Sequence, residues 1–75
     1  MEEKVRELIA RTLKKNPEDI LLTTNIDDLA EDSIALFTLI SAFEKEFGVE
    51  TEYKELINIE TVGDIVLYLE NILKR

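Results

Sequence analysis

Residues 27–48 read DDLAEDSIALFTLISAFEKEFG. Four carboxylates lead into one serine, Ser33, and an apolar segment closed by a glycine follows. Asp32 is a natural N-cap, because its carboxylate can accept the free N–H groups of a first helical turn. A helix is therefore expected from Ser33 to Phe47. Leu36, Leu39, Ile40, Phe43 and Phe47 fall on one face as a core stripe. Ile34, Thr38, Ser41 and Lys45 fall on the opposite face, with Phe37 at its edge. Gly48 suits the left-handed residue that ends a helix. Taken alone, Ser33 is an ordinary helix start. A hydroxyl beside outward apolar residues and rimmed by Asp27, Asp28, Glu31 and Glu44 also reads as a docking surface. A helix N-terminus moreover suits an anionic group such as a phosphodiester.

The flanking sequence supplies the rest of an all-α bundle. Val5, Leu8, Ile9, Thr12 and Leu13 recur at helical spacing, which predicts a helix over 2–15. Glu2 with Arg6 and Glu7 with Arg11 stand in the favourable i,i+4 order. Lys14 and Lys15 complement the negative end of the helix dipole. Asn16-Pro17 stops the helix, since a residue before proline avoids the α region. Asn16-Pro17-Glu18-Asp19 then reads as a cap, a proline at the first position and an acidic turn. The connection NPEDILLTTNIDDLAE, 16–31, should be pinned over the helices by Ile20, Leu22, Ile26 and Leu29. EYKELI, 52–57, predicts one short helix burying Leu56 and Ile57. Thr61-Val62-Gly63-Asp64 fits the capping-box start of a last helix. Val62, Ile65, Val66, Leu69, Ile72 and Leu73 continue it at helical spacing. The expected fold is a small four-helix bundle, three main helices and one short third helix, with residues 1–75 forming one domain.

Composition narrows the chemistry. The 75 residues include no cysteine and no histidine. A disulfide framework, a thiolate metal site and the usual neutral-pH acid/base are therefore absent. Lys45 lies three turns along the helix from Ser33, too far to activate its hydroxyl. Asp27 and Asp28 fail the EF-hand spacing, because Leu29 or Ala30 stands at the third loop position. No metal site is expected, and an enzyme ranks below a non-enzyme. No apolar run reaches the roughly 20 residues needed to span a bilayer, and the first residues, MEEKVREL, lack the apolar h-region expected of a signal peptide. A cytoplasmic monomer is expected.

The net charge of −8 is uneven. Residues 1–15 are net positive by two, and residues 16–73 carry fourteen acidic side chains against Lys45 and Lys54. Such a field repels nucleic acid and anionic membrane and steers basic partners toward the acidic part.

DLAEDSIALFTLISAFEKEFGVE (28–50) and IETVGDIVLYLENI (59–72) together resemble the acyl carrier proteins. The family hallmark, Asp-Ser-Leu at the head of the second helix, is matched by Asp32-Ser33-Ile34. Phe47-Gly48-Val49 and Thr61-Val62-Gly63-Asp64 also fit, and the resemblance covers essentially the whole chain. It implies that a phosphopantetheinyl transferase esterifies Ser33 with phosphopantetheine from coenzyme A. The arm brings its own thiol, and acyl groups ride on it as thioesters, in fatty acid or related acyl-chain biosynthesis. The acyl chain would shelter among Leu36, Leu39, Ile40, Leu56 and Ile59. Synthesis or transfer enzymes with basic docking patches would grip the surface carrying Asp27, Asp28, Glu31, Ile34, Phe37, Thr38 and Glu44.

The chain departs from the family pattern at five places. Ala30 stands for a glycine, Ala35 for an acidic residue, and Thr38 and Lys45 for two further carboxylates. Leu67 stands where the family tends to be polar. Specialised carriage of aminoacyl, peptidyl or polyketide groups therefore stays open, as does an unmodified acidic helical adaptor.

Overall fold

The computed structural model describes residues 1–74; Arg75, counted among the charges above, lies outside the described residues. Helix α1 spans Glu2–Leu13 and buries Val5, Leu8, Ile9 and Ala10. It ends two residues earlier than expected. Lys14 adopts the left-handed conformation, with φ of 58°, and turns the chain into Asn16-Pro17. The Asn16 side chain then caps a single 3-10 turn, Pro17–Asp19, as the sequence implies.

The expected i,i+4 arginine pairs give way to tertiary contacts. Arg6 donates from Nε to the carbonyl of Ile20 at 2.8 Å and from Nη2 to that of Pro17 at 3.0 Å. Arg11 reaches Glu46 at 3.4 Å. An exposed i,i+4 ion pair is worth only about 0.2–0.5 kcal/mol, so carbonyls in need of donors win Arg6. That choice fixes the connection over α1 and seats Ile20, which is fully buried.

The connection contains one element that the periodicity missed. Ile26–Leu29 forms a helical turn, α2, whose cap is Asn25, with its side chain accepting from the N–H of Asp27. Ile26 and Leu29 are buried as expected, whereas Leu22 remains 39% exposed. Backbone, rather than the Leu22 side chain, docks this segment. The N–H of Gly63 donates to the Leu22 carbonyl at 2.8 Å, that of Val62 to Thr24 at 3.0 Å, and that of Ile26 to Glu60 at 2.8 Å. These three bonds form a clasp around the antiparallel bridge of Asn25 with Thr61.

Helix α3 spans Ser33–Phe47 and closes at Gly48, with φ of 64°. Its core stripe is narrower than its apolar pattern. Leu39 and Phe43 are buried, Ile40 and Phe47 are half-buried, and Leu36 is 37% exposed. The short helix α4, Tyr53–Leu56, half-buries Leu56 and leaves Ile57 exposed, contrary to expectation. Ile57 falls just past the helix, where the chain turns outward. Helix α5 spans Val62–Leu73 and opens with the full capping box of Thr61 and Asp64. It buries Val62, Ile65 and Leu69, while Leu73 and Leu67 stay exposed.

The result is the expected all-α bundle. Helix α1 packs on α3 and α5, and Val5, Ile9, Ile20, Leu39, Val62 and Leu69 form the centre of the core. No helix of the described residues is long and apolar enough to cross a membrane.

Candidate functional site at the head of α3

Ser33 is the first residue of α3 and is exposed. Asp32 holds the helix mouth open in a defined way. Its Oδ1 accepts the N–H of Ala35 at 2.7 Å, and its carbonyl accepts that of Leu36 at 3.1 Å. The N–H groups of Ser33 and Ile34 precede the first intrahelical bond, so they have no partner inside the helix. An exposed hydroxyl therefore stands beside free donors at the positive end of a four-turn helix, a setting that favours a phosphate ester.

An apolar cavity of about 80 Å³ opens near this mouth. Leu36 lines it, one turn along α3 from Ser33. Leu39, Ile40, Leu56 and Ile59 line it as well, so the fold brings all five of these side chains to one cavity. Phe43, Ile26, Ile65 and Leu69 complete the apolar wall, and Asp27, Thr51 and Tyr68 supply the polar atoms. Half-exposure of Leu36 and Ile40 follows from this arrangement: both face a cavity that opens to solvent, not the closed core.

Hydrogen bonds hold the cavity walls in place. Glu44 Oε2 accepts from both the N–H of Thr51, at 2.8 Å, and its hydroxyl, at 3.0 Å. That pair anchors the α3–α4 connection. Tyr68 donates to Glu55 Oε1 at 3.0 Å and accepts the N–H of Glu52 at 3.3 Å, which ties α4 to α5. Next to Ile65 in the chain, Asp64 Oδ2 accepts the N–H groups of Glu60 and Thr61. Those two donors, with the Thr61 hydroxyl, hold the Asp64 carboxyl below its ordinary pKa against a smaller opposing effect of burial. The clasp that Asp64 supports positions Ile26 in the cavity wall.

The remaining site residues separate into two groups. Asp27, Asp28 and Glu31, just ahead of Ser33 in the chain, are exposed, and Asp27 also lines the cavity. Ile34 is 78% exposed and Phe37 62%. Thr38 is exposed, but its hydroxyl donates back to the Ile34 carbonyl at 2.8 Å. Glu44 stands apart from this surface, half-buried and engaged with Thr51. No local pattern signals that clamp, since Glu44 and Thr51 straddle a helix end. Tyr68 could have been found: it follows Ile65 by three on the core-facing stripe of α5.

Comparison with known proteins fits this geometry. Residues 3–69 match the family model described as "Phosphopantetheine attachment site". A protein of Streptococcus pyogenes serotype M3 named "Acyl carrier protein" is 44% identical over 68 residues, covering 91% of this chain and 89% of the relative. Proteins of the same name from Streptococcus thermophilus and Streptococcus pneumoniae serotype 4 are 43% and 40% identical over the same shares. With its serine at the mouth of α3 and its sequence matched nearly end to end, the chain belongs to the phosphopantetheine attachment site family.

Proposed function

We propose that the chain is an acyl carrier protein, that Ser33 is the residue bearing phosphopantetheine, and that the chain serves fatty acid or related acyl-chain synthesis. When bound, the group supplies a terminal thiol on which an acyl chain is held as a thioester. The observation that carries the reading is the juxtaposition of an exposed hydroxyl with an apolar cavity that begins one helical turn away. The residues divide the work. Asp32 fixes the first turn so that the hydroxyl of Ser33 faces outward, and the free N–H groups of Ser33 and Ile34 stabilise the phosphodiester charge. Leu36, Leu39, Ile40, Leu56 and Ile59 exclude water from the acyl chain. Each methylene sheltered there contributes about 0.8 kcal/mol, so the hold strengthens with chain length yet a partner can still draw the chain out.

In this reading the chain performs no catalysis. A phosphopantetheinyl transferase installs the arm, and acyl-chain enzymes load and unload it. Incubation with coenzyme A, magnesium and a promiscuous transferase should add the mass of one phosphopantetheine to the wild-type chain and none to Ser33→Ala. A wild-type chain that takes up no mass would remove the basis of the proposal. It would favour the unmodified adaptor that exposed Ile34 and Phe37 also suit. Loading assays with acyl and aminoacyl ligases then separate a fatty-acyl carrier from one dedicated to aminoacyl, peptidyl or polyketide groups.

A further inference from the structure

The walls of the cavity are not equally firm. Helices α3 and α5 line it with Leu39 and Leu69, both buried in the core. Ile26 is buried as well and is held by the backbone clasp. Helix α4 is different. It buries no residue, and its N-cap, Glu52, makes no side-chain cap bond. Tyr53 and Ile57 are exposed, and Leu56 and Ile59, which line the cavity, are only half-buried. Both ends of this wall are pinned. Thr51 is bound to Glu44. Glu60 donates its N–H to Asp64, and its carbonyl accepts the N–H of Ile26. Between these anchors the Tyr68 hydroxyl reaches over from α5. It donates to Glu55 at 3.0 Å and accepts the N–H of Glu52 at 3.3 Å. Residues 52–59 thus form a short wall fixed at each end and latched to α5 by one phenol.

Resting on the carrier reading, we propose that Tyr68 sets the acyl chain length that the cavity accepts, by latching α4 to α5. The cavity measures about 80 Å³. A cavity of about 150 Å³ admits benzene, with six carbons, so about three carbons fit here before a wall must move. A butyryl group has three carbons beyond its carbonyl and fits with the latch closed. A longer chain must lift α4, which breaks a hydrogen bond to a carboxylate, one of the stronger kinds. Burial of methylenes offsets that loss only after several have entered. Tyr68 is therefore a positioning residue, acting through the wall that carries Leu56 and Ile59.

Tyr68→Phe keeps the ring and removes the hydroxyl. In the unmodified chain, amide hydrogen exchange reads the latch directly. The N–H groups of Leu56 and Ile57, bonded to the carbonyls of Glu52 and Tyr53, should exchange about fivefold faster in the variant. Those of α1 should not change. Parent and variant are then loaded with acetyl, butyryl, hexanoyl or octanoyl phosphopantetheine from the matching coenzyme A thioesters by a promiscuous transferase. Mass spectrometry confirms each loading, and the melting temperature is read for each length. In the parent it should rise from acetyl to butyryl and then stay level through octanoyl. In Tyr68→Phe it should keep rising through octanoyl, and Glu55→Ala should follow the same profile. A uniform offset at every length is what a merely structural tyrosine gives, and it would overturn the proposal. So would unchanged exchange in α4, or a parent whose melting temperature climbs steadily to octanoyl. A chain that takes up no acyl arm, seen by mass, removes the carrier reading and this one together. A loaded chain whose length profile ignores Tyr68→Phe removes this one alone.

Discussion

Glu44 offers a sharp test, because two roles for it predict opposite signs. As a free docking carboxylate it would contribute nothing to stability. Its removal would even relieve repulsion in a chain of net charge −8. As a clamp it accepts two hydrogen bonds from Thr51 on one oxygen, at 2.8 and 3.0 Å. A hydrogen bond to a charged group is worth about 1.5–3 kcal/mol. The two bonds share an acceptor, and water can reach half-buried Thr51 once the carboxylate is gone. The lower part of that range, about 2 kcal/mol for the pair, is therefore the expected cost of Glu44→Ala. For a domain of this size it lowers the melting temperature by about 8–16 °C. Urea unfolding followed by circular dichroism measures it. Thr51→Val removes only the hydroxyl bond and should cost less. The double variant should fall short of the sum by about 0.5 kcal/mol or more, because both changes act on one contact. A loss under about 0.5 kcal/mol for Glu44→Ala, the ordinary range for surface substitutions, would refute the clamp and return Glu44 to the docking surface.

Further outcomes follow from the clasp and the core. Gly63→Ala places a methyl 3.1 Å from the Leu22 carbonyl, an oxygen already fixed by the Gly63 N–H at 2.8 Å. It should lower the melting temperature despite the better helix propensity of alanine, and a rise would show that the clasp yields. Asp64 has a lowered pKa in the folded chain. Its contribution is fully present above the unfolded value of about 4 and is lost as pH falls through the lower folded value. Asp64→Asn should therefore make stability fall less steeply with acid in that window, and an unchanged slope in pH-dependent melting would count against the assignment. Leu39→Ala, at a side chain only 1% exposed, should cost about 2–5 kcal/mol in urea unfolding. A smaller loss would mean that the cavity wall collapses to fill the gap.

The bundle was legible because its signals are local. Asp32, Gly48 and the Thr61–Asp64 box mark helix ends through bonds within a few residues, and those boundaries agree with the structure. Ser33 stood out as the candidate site through its neighbours Asp32 and Ile34. What escaped depends on contacts distant in sequence. Arg6 leaves its i,i+4 partner for carbonyls eleven and fourteen residues away. Leu22 docks by its backbone, which hydropathy does not register. Leu36 and Ile40 look like closed core from their spacing; only the family resemblance set them in an acyl pocket, and the structure brings both to a cavity open to solvent. Glu44 has the look of a docking acid, and only the fold of the α3–α4 connection shows that Thr51 occupies it.

The central claim is that Ser33 bears the covalent handle. Peptide-level mass spectrometry of the chain purified from its native cell tests it most directly. A phosphopantetheine ester on Ser33, with or without its acyl cargo, is the predicted result. A bare Ser33 under every growth condition, or the arm on another residue, would contradict it.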